Sequence, residues 1–194
     1  MRDDLSRGVR STASIGGHPI HPMIIPFPVA FLVGALATDI AFWQTGDAFW
    51  ARASMWLVGA GLVMGALAAV FGLIDFTTIK RARTGSTGWI HFLGNALALI
   101  VALVSLLHRI GDPATAVMPL GIILSAVTVG ILLVTGWLGG ELAYRYKIGV
   151  VEETGPALRS EPARGHSALG GDPALAGDKP DLRRSRPADP PMIE

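Results

Sequence analysis

Six ionisable residues lie in or beside the most apolar stretches of the chain, where charged side chains are costly. They are three histidines and three carboxylates: His18, His21, His91, Asp39, Asp75 and Glu141. Imidazole nitrogens and carboxylate oxygens are the usual ligands of transition metals, and two imidazoles on facing helices can hold a haem iron. Histidine also titrates near neutral pH and can relay protons. The residue types therefore predict a metal, haem or proton-handling site.

The elements that must position these residues are apolar helices. The chain has 194 residues, of which 51% are hydrophobic and only 16% charged, whereas soluble domains carry about 25% charged residues. Four apolar runs are each long enough to cross a bilayer as a helix, and we place them at about 28–43, 55–76, 89–110 and 117–144. The sequence predicts an all-α integral membrane protein, a four-helix bundle.

Composition divides the rest of the chain. A polar segment covers residues 1–15, the four-helix transmembrane domain covers 16–149, and residues 150–194 are rich in proline, glycine, alanine and charge. A segment of this composition buries too little apolar surface to offset its ordering entropy. We therefore expect a disordered C-terminal tail.

Arginine and lysine predict the orientation. Eight of them lie on one side of the predicted bundle: Arg2, Arg7, Arg10, Lys80, Arg81, Arg83, Arg145 and Lys147. Only Arg52 and Arg109 lie on the other side. The positive-inside rule then predicts a multi-pass protein of the cytoplasmic membrane with both termini in the cytoplasm. In this orientation five of the six ionisable residues lie at the cytoplasmic boundary, and Asp39 lies alone near the opposite face.

Helical spacing predicts that two of these residues face the bundle interior. Asp75 continues a row of small residues on one face of the second helix, and His91 shares a face with Asn95 in the third. The chain also shows a repeated order: His21 is followed by two helices and then Asp75, and His91 is followed by two helices and then Glu141. Two hairpins related by a two-fold axis along the membrane normal would bring the histidines and carboxylates together.

These observations favour a redox or metal-binding membrane module. We expect His21 and His91 to be ligands, with His18, Asp75 and Glu141 as further ligands or their hydrogen-bond partners, and Asn95 and Arg145 as supports. The bound species would be haem b or an ion of iron, zinc, copper or manganese. The alternative is structural: Asp75 would pair with Arg145 or Lys80, Glu141 with Arg145, and Asp39 with Gln44 or hydroxyl groups of neighbouring helices.

Two further functions stay open. A small proton-coupled or ion-handling transporter would use Asp39 in its path and would need to form a homo-oligomer, and a scaffold would recruit partners through its tail. Catalysis is less favoured, because the chain has no Walker A, strand-linked GxGxxG, HExxH or GxSxG motif. The net charge of +1 gives no basis for nucleic-acid binding.

Several segments are similar to a known family. They are GHPIHP followed by PFP, GLIDF, GWIHFLGNALAL and GWLGGELAYRYKIGV. Together they resemble the bacterial membrane family called domain of unknown function 2231, a four-helix transmembrane domain with no defined activity. The resemblance covers His18, His21, Asp75, His91, Asn95, Glu141 and Arg145, to which the family assigns no role.

The resemblance also implies a connection with electron transfer, because some members of that family are fused to a Rieske iron–sulfur domain. This chain contains no cysteine and cannot build the thiolate half of such a cluster. A redox partner would therefore be a separate protein.

Overall fold

The structure is a computed structural model that describes residues 8–150. It consists of helices and one short antiparallel ribbon. The ribbon pairs β1 (Ser14–Ile15) with β2 (His18–Pro19). The helices are α1 (Ile20–Ile24), α2 (Pro26–Thr45), α3 (Ala48–Thr78), α4 (Lys80–Thr84), α5 (Ser86–Arg109), α6 (Pro113–Ala116) and α7 (Ile122–Gly140). The segment Val117–Gly121, which precedes α7, contains a kink at Met118 (φ −110°, ψ 131°), and a π-helical turn, Glu141–Arg145, follows α7.

These elements form four spans that are long and apolar enough to cross a membrane: Ile20–Thr45, Ala48–Thr78, Ser86–Arg109 and Pro113–Arg145. The predicted all-α four-span fold is confirmed. The first span begins at Ile20 rather than near residue 28, because its prolines fall in the first turns of α1 and α2. A first turn has no intrahelical partner for the missing N–H, so proline is tolerated there.

Acidic caps and glycines with positive φ delimit the turns that join spans one to two and three to four. Asp47 accepts a hydrogen bond from the Phe49 amide at the start of α3, and Asp112 accepts two amides at the start of α6. Gly46 and Gly111 precede these caps with φ of +68° and +102°, a conformation that favours glycine. Both turns thus reverse the chain within a few residues.

The spans pack as a ring of four. The first span packs against the second and the third against the fourth, while the second contacts the third and the fourth contacts the first. Small residues permit this close approach: a Cβ on Gly61 would lie 2.7 Å from Leu32 Cγ, and one on Gly65 would lie 2.6 Å from Leu99 Cδ2. Large apolar side chains cover the outside of the ring.

The described part of the N-terminal segment is attached to the bundle. The Val9 amide donates to the Lys147 carbonyl at 2.9 Å, and the Gly149 amide donates to the Val9 carbonyl at 2.8 Å. Residues 8–15 therefore lie beside the end of the fourth span. The predicted disordered tail, 150–194, lies outside the described residues except for residue 150.

Candidate functional site

His21 and His91 meet at one end of the bundle, here called the histidine end. His21 comes from α1 and His91 from α5, and both side chains are partly buried. Their ring centroids are 6.4 Å apart and their planes are nearly perpendicular, at 84°. The structure thus brings together the two histidines that we predicted to be ligands.

Each imidazole is fixed by a backbone carbonyl of a neighbouring span. His21 Nδ1 lies 2.8 Å from the Ala68 carbonyl oxygen, and His91 Nδ1 lies 2.9 Å from that of Thr135. A carbonyl oxygen only accepts hydrogen bonds, so each Nδ1 carries a proton, and in the neutral form of the ring the lone pair is on Nε2. Metal-ligating histidines are commonly held in this way.

A glycine lies against each ring. A Cβ built on Gly72 would lie 2.9 Å from His21 Cε1, and one built on Gly139 would lie 3.0 Å from His91 Cε1. Both glycines stand four residues after the residue whose carbonyl binds the ring, and hence one turn along the same helix. The two histidine positions are therefore constructed alike.

Asn95 adds a contact on the His91 side. Its Nδ2 donates to the His91 carbonyl at 2.7 Å and lies 3.4 Å from His91 Nε2. The Thr135 hydroxyl donates to Asn95 Oδ1 at 3.3 Å. Asn95 thus connects α5 to α7 beside the imidazole.

The other three residues of the predicted cluster point to different partners. Among residues 8–150, no group of three or more His, Asp or Glu side chains is placed to hold a metal ion. His18 is exposed and contacts the Gly16 carbonyl through Nδ1 at 3.2 Å. Glu141 pairs with Arg145 at 3.2 Å on the bundle surface, which matches the structural alternative for this residue.

Asp75 binds the N-terminal segment. Its carboxylate accepts from the Ser11 hydroxyl at 2.7 Å and from the amides of Thr12 and Ala13 at 2.8 and 3.0 Å. The two carboxylate oxygens of Asp75 therefore bind the N-terminal segment, whereas we predicted that they would belong to a site shared with the histidines. Neither Arg145 nor Lys80 forms an ion pair with Asp75 in the described part of the chain.

A second polar centre lies at the opposite end of the bundle, here called the ion-pair end. Arg109 Nη2 lies 2.6 Å from Asp39 Oδ2, and both side chains are 0% exposed. The hydroxyls of Ser54 and Ser125 donate to Asp39 at 2.5 and 2.6 Å. Arg109 also donates to the hydroxyl of Ser105 and to that of Ser125. Every span contributes to this network.

Asp39 was predicted to lie alone, and Arg109 was counted among the charges outside the bundle that set the orientation; both predictions are wrong, because the two side chains pair in the buried interior. The serine partners of Asp39 agree with the expectation that neighbouring hydroxyls would bind it. The signal for Arg109 was present in the spacing, because Ala98, Ala102, Ser105 and Arg109 follow one another at intervals of four, three and four residues. That spacing keeps Arg109 on the buried face of α5.

Comparison with known proteins found one match, which is to the model of a protein family. No curated protein and no solved structure matches the chain. The model of the family described as a predicted membrane protein (DUF2231) matches residues 17–152. That range includes all four spans, the histidine pair and the buried ion pair. The chain therefore belongs to this family of predicted membrane proteins.

Proposed function

We propose that this multi-pass membrane protein is a redox module in which His21 and His91 would hold the iron of a haem b. The observation that carries the proposal is the matched fixation of two facing imidazoles, each held through Nδ1 by a carbonyl. The Nε2 atom of each ring is then the one left for a metal, and at His91 it lies 3.4 Å from Asn95 Nδ2. Both rings are partly exposed.

The separation of the rings supports a shared metal centre. Imidazole nitrogens bind metals at about 2.0–2.1 Å, so two histidines can hold one group only when their rings lie close together. The ring centroids of His21 and His91 lie close together, 6.4 Å apart.

The number of ligands favours haem over a free ion. Zinc sites in proteins take three or four protein ligands, and this pair offers two. A porphyrin supplies four nitrogens, so two imidazoles complete the coordination of its iron. A haem would supply one-electron chemistry, and the protein would orient the imidazoles through Ala68 and Thr135. Electrons would be exchanged with a separate redox protein.

An absorption spectrum of the purified protein tests the proposal. The protein is expressed with sufficient haem and measured oxidised and dithionite-reduced, together with its iron, zinc, copper and manganese content. We expect a Soret band and reduced α and β bands that are lost in His21→Ala and in His91→Ala. His108→Ala is the matched control, because His108 is an exposed histidine near the other end of α5.

Two results would overturn the proposal. One is a featureless spectrum of the wild-type protein after haem-sufficient expression, and the other is an unchanged haem content in both histidine variants. A stoichiometric metal without a Soret band, lost in His21→Ala and in His91→Ala, would replace haem by a metal ion at the same pair.

The second candidate is proton-coupled ion handling, favoured by the burial of Asp39 in a bilayer-spanning bundle. Between Asp39 and the histidine pair, the interior carries the polar side chains of Ser125, Thr128 and Asn95. The test is proton flux into liposomes that contain the protein. Asp39→Asn should abolish the flux, while Asp47→Asn, an exposed helix cap at the same end, should preserve it. Equal flux in Asp39→Asn and wild type would exclude this function.

A further inference from the structure

The buried positions of the first and third spans coincide after a constant shift. Arg109 follows its partner Asp39 by 70 residues, and His91 follows His21 by the same number. The residues between them obey the same shift. The buried residues of the first span are Pro28, Leu32, Ala35 and Asp39, and those of the third include Ala98, Ala102, Ser105 and Arg109.

The second and fourth spans repeat in the same way. Thr135 follows Ala68, and Gly139 follows Gly72, by 67 residues. Ala68 and Thr135 each bind a histidine through the backbone carbonyl. Gly72 and Gly139 each lie against the ring of that same histidine. The repeat therefore preserves contacts as well as burial.

The packing of the spans has the matching symmetry. The first hairpin consists of spans one and two, and the second consists of spans three and four. If the two hairpins exchange places, each span keeps the same kind of neighbours in the ring. Spans one and three run in the same direction, so the relating axis is parallel to the helices. Three equivalent pairs lie around the centre of the ring together with Thr128: Leu32 with Ala102, Ala35 with Ser105, and Val58 with Ser125.

We propose that the domain is a duplicated helical hairpin and that Asp39 and Arg109, facing each other across its two-fold axis, determine which hairpins pair. In a pair of identical first hairpins, two Asp39 carboxylates would meet in the buried interior. In a pair of identical second hairpins, two Arg109 guanidinium groups would meet. Both contacts bury like charges, which is strongly unfavourable. Only the combination of the first hairpin with the second places opposite charges together.

A charge-reversal cycle in the full chain tests the role of the pair. Asp39→Arg and Arg109→Asp each bury two like charges, so the monodisperse fraction in detergent should fall by about tenfold or more. Because it again places opposite charges at the two facing positions, the double reversal should recover most of the monodisperse fraction that each single variant loses. A double variant no better than the single variants would overturn the assigned role of the pair.

The duplication itself is tested on a chain with the native ion pair. The protein has no cysteine, so spin labels can be placed without background. One sample carries Val33→Cys and Val63→Cys in the first hairpin, and the other carries the equivalent Leu103→Cys and Gly130→Cys in the second. All four positions are exposed on the outer surface.

We expect superimposable distance distributions from the two samples in pulsed electron-spin measurements. Distributions whose means differ by more than the width of either would overturn the duplication. This outcome does not depend on the folding of the charge-reversal variants or on the binding of haem.

Discussion

Arg109 Nη2 lies 2.6 Å from Asp39 Oδ2, although the two residues are 70 positions apart and come from different spans. Neither side chain is exposed. Burial of two charges is compensated only when their mutual attraction is supported by further hydrogen bonds. Here the hydroxyls of Ser54, Ser105 and Ser125 provide that support. The ion-pair end is therefore held together by one interdependent polar network.

Asp39→Ala should strongly destabilise the bundle. It leaves Arg109 buried without its counter-charge, and removal of one partner of a buried pair costs about 3–5 kcal/mol. The free energy of unfolding can be measured by tryptophan fluorescence during titration with a denaturing detergent.

Glu141→Ala provides the comparison for this prediction. It breaks the exposed Glu141–Arg145 pair, and surface pairs four residues apart in a helix contribute about 0.3–0.5 kcal/mol. Equal changes in the free energy of unfolding for the two variants would contradict the network as described.

The four spans could be predicted from the sequence because length and apolar composition decide whether a helix can cross a bilayer. Helical spacing predicted that His91 faces the interior, and the echo between the two hairpins predicted that His21 would lie near it. The partner of Asp75 could not be predicted, because its donors are mainly backbone amides of Thr12 and Ala13 and amides carry no side-chain signal. Arg109 was missed because it ends its helix, where arginine is usually a boundary residue.

Gly72→Ala should disturb the histidine end while leaving the span intact. The added methyl would lie 2.9 Å from His21 Cε1 and Nδ1, so the imidazole has to move away from the Ala68 carbonyl. Overpacking of this kind costs about 1–3 kcal/mol. We expect lower haem occupancy in Gly72→Ala, and likewise in Gly139→Ala, measured by the Soret-to-protein absorbance ratio.

Gly136→Ala is the matched control for both glycine variants, since a Cβ at Gly136 would meet no atom within 4 Å. It adds the same methyl to the same helix as Gly139→Ala. A haem occupancy that falls as much in Gly136→Ala as in Gly139→Ala would show that ring contact is not the cause.

Asp75→Ala should release the N-terminal segment. The carboxylate holds Ser11, Thr12 and Ala13, directly after the exposed Arg10. Without these three bonds, the segment should open more often and trypsin should cleave after Arg10 faster, because proteolysis follows the population of the open form. Mass spectrometry of timed digests measures the rate.

The control for this proteolysis experiment is Glu141→Ala, which removes a carboxylate at the same end of the bundle without touching the segment. An unchanged rate of cleavage after Arg10 in Asp75→Ala would mean that other contacts, such as those of Val9 with Lys147 and Gly149, hold the segment alone.

Two substitutions at the contact between α5 and α7 should separate backbone from side-chain effects on His91. Thr135→Val keeps the carbonyl that binds His91 Nδ1 and loses the hydroxyl, which bonds to Asn95 Oδ1 and to the Leu132 carbonyl. Asn95→Leu removes the amide that lies beside the His91 ring and binds the His91 carbonyl.

If the Thr135 carbonyl orients the His91 ring, Thr135→Val should keep the wild-type haem spectrum. Asn95→Leu should then shift the reduction midpoint without loss of haem. Loss of haem from Thr135→Val would instead assign the orientation of His91 to the hydroxyl and amide network, because the carbonyl is unchanged in that variant.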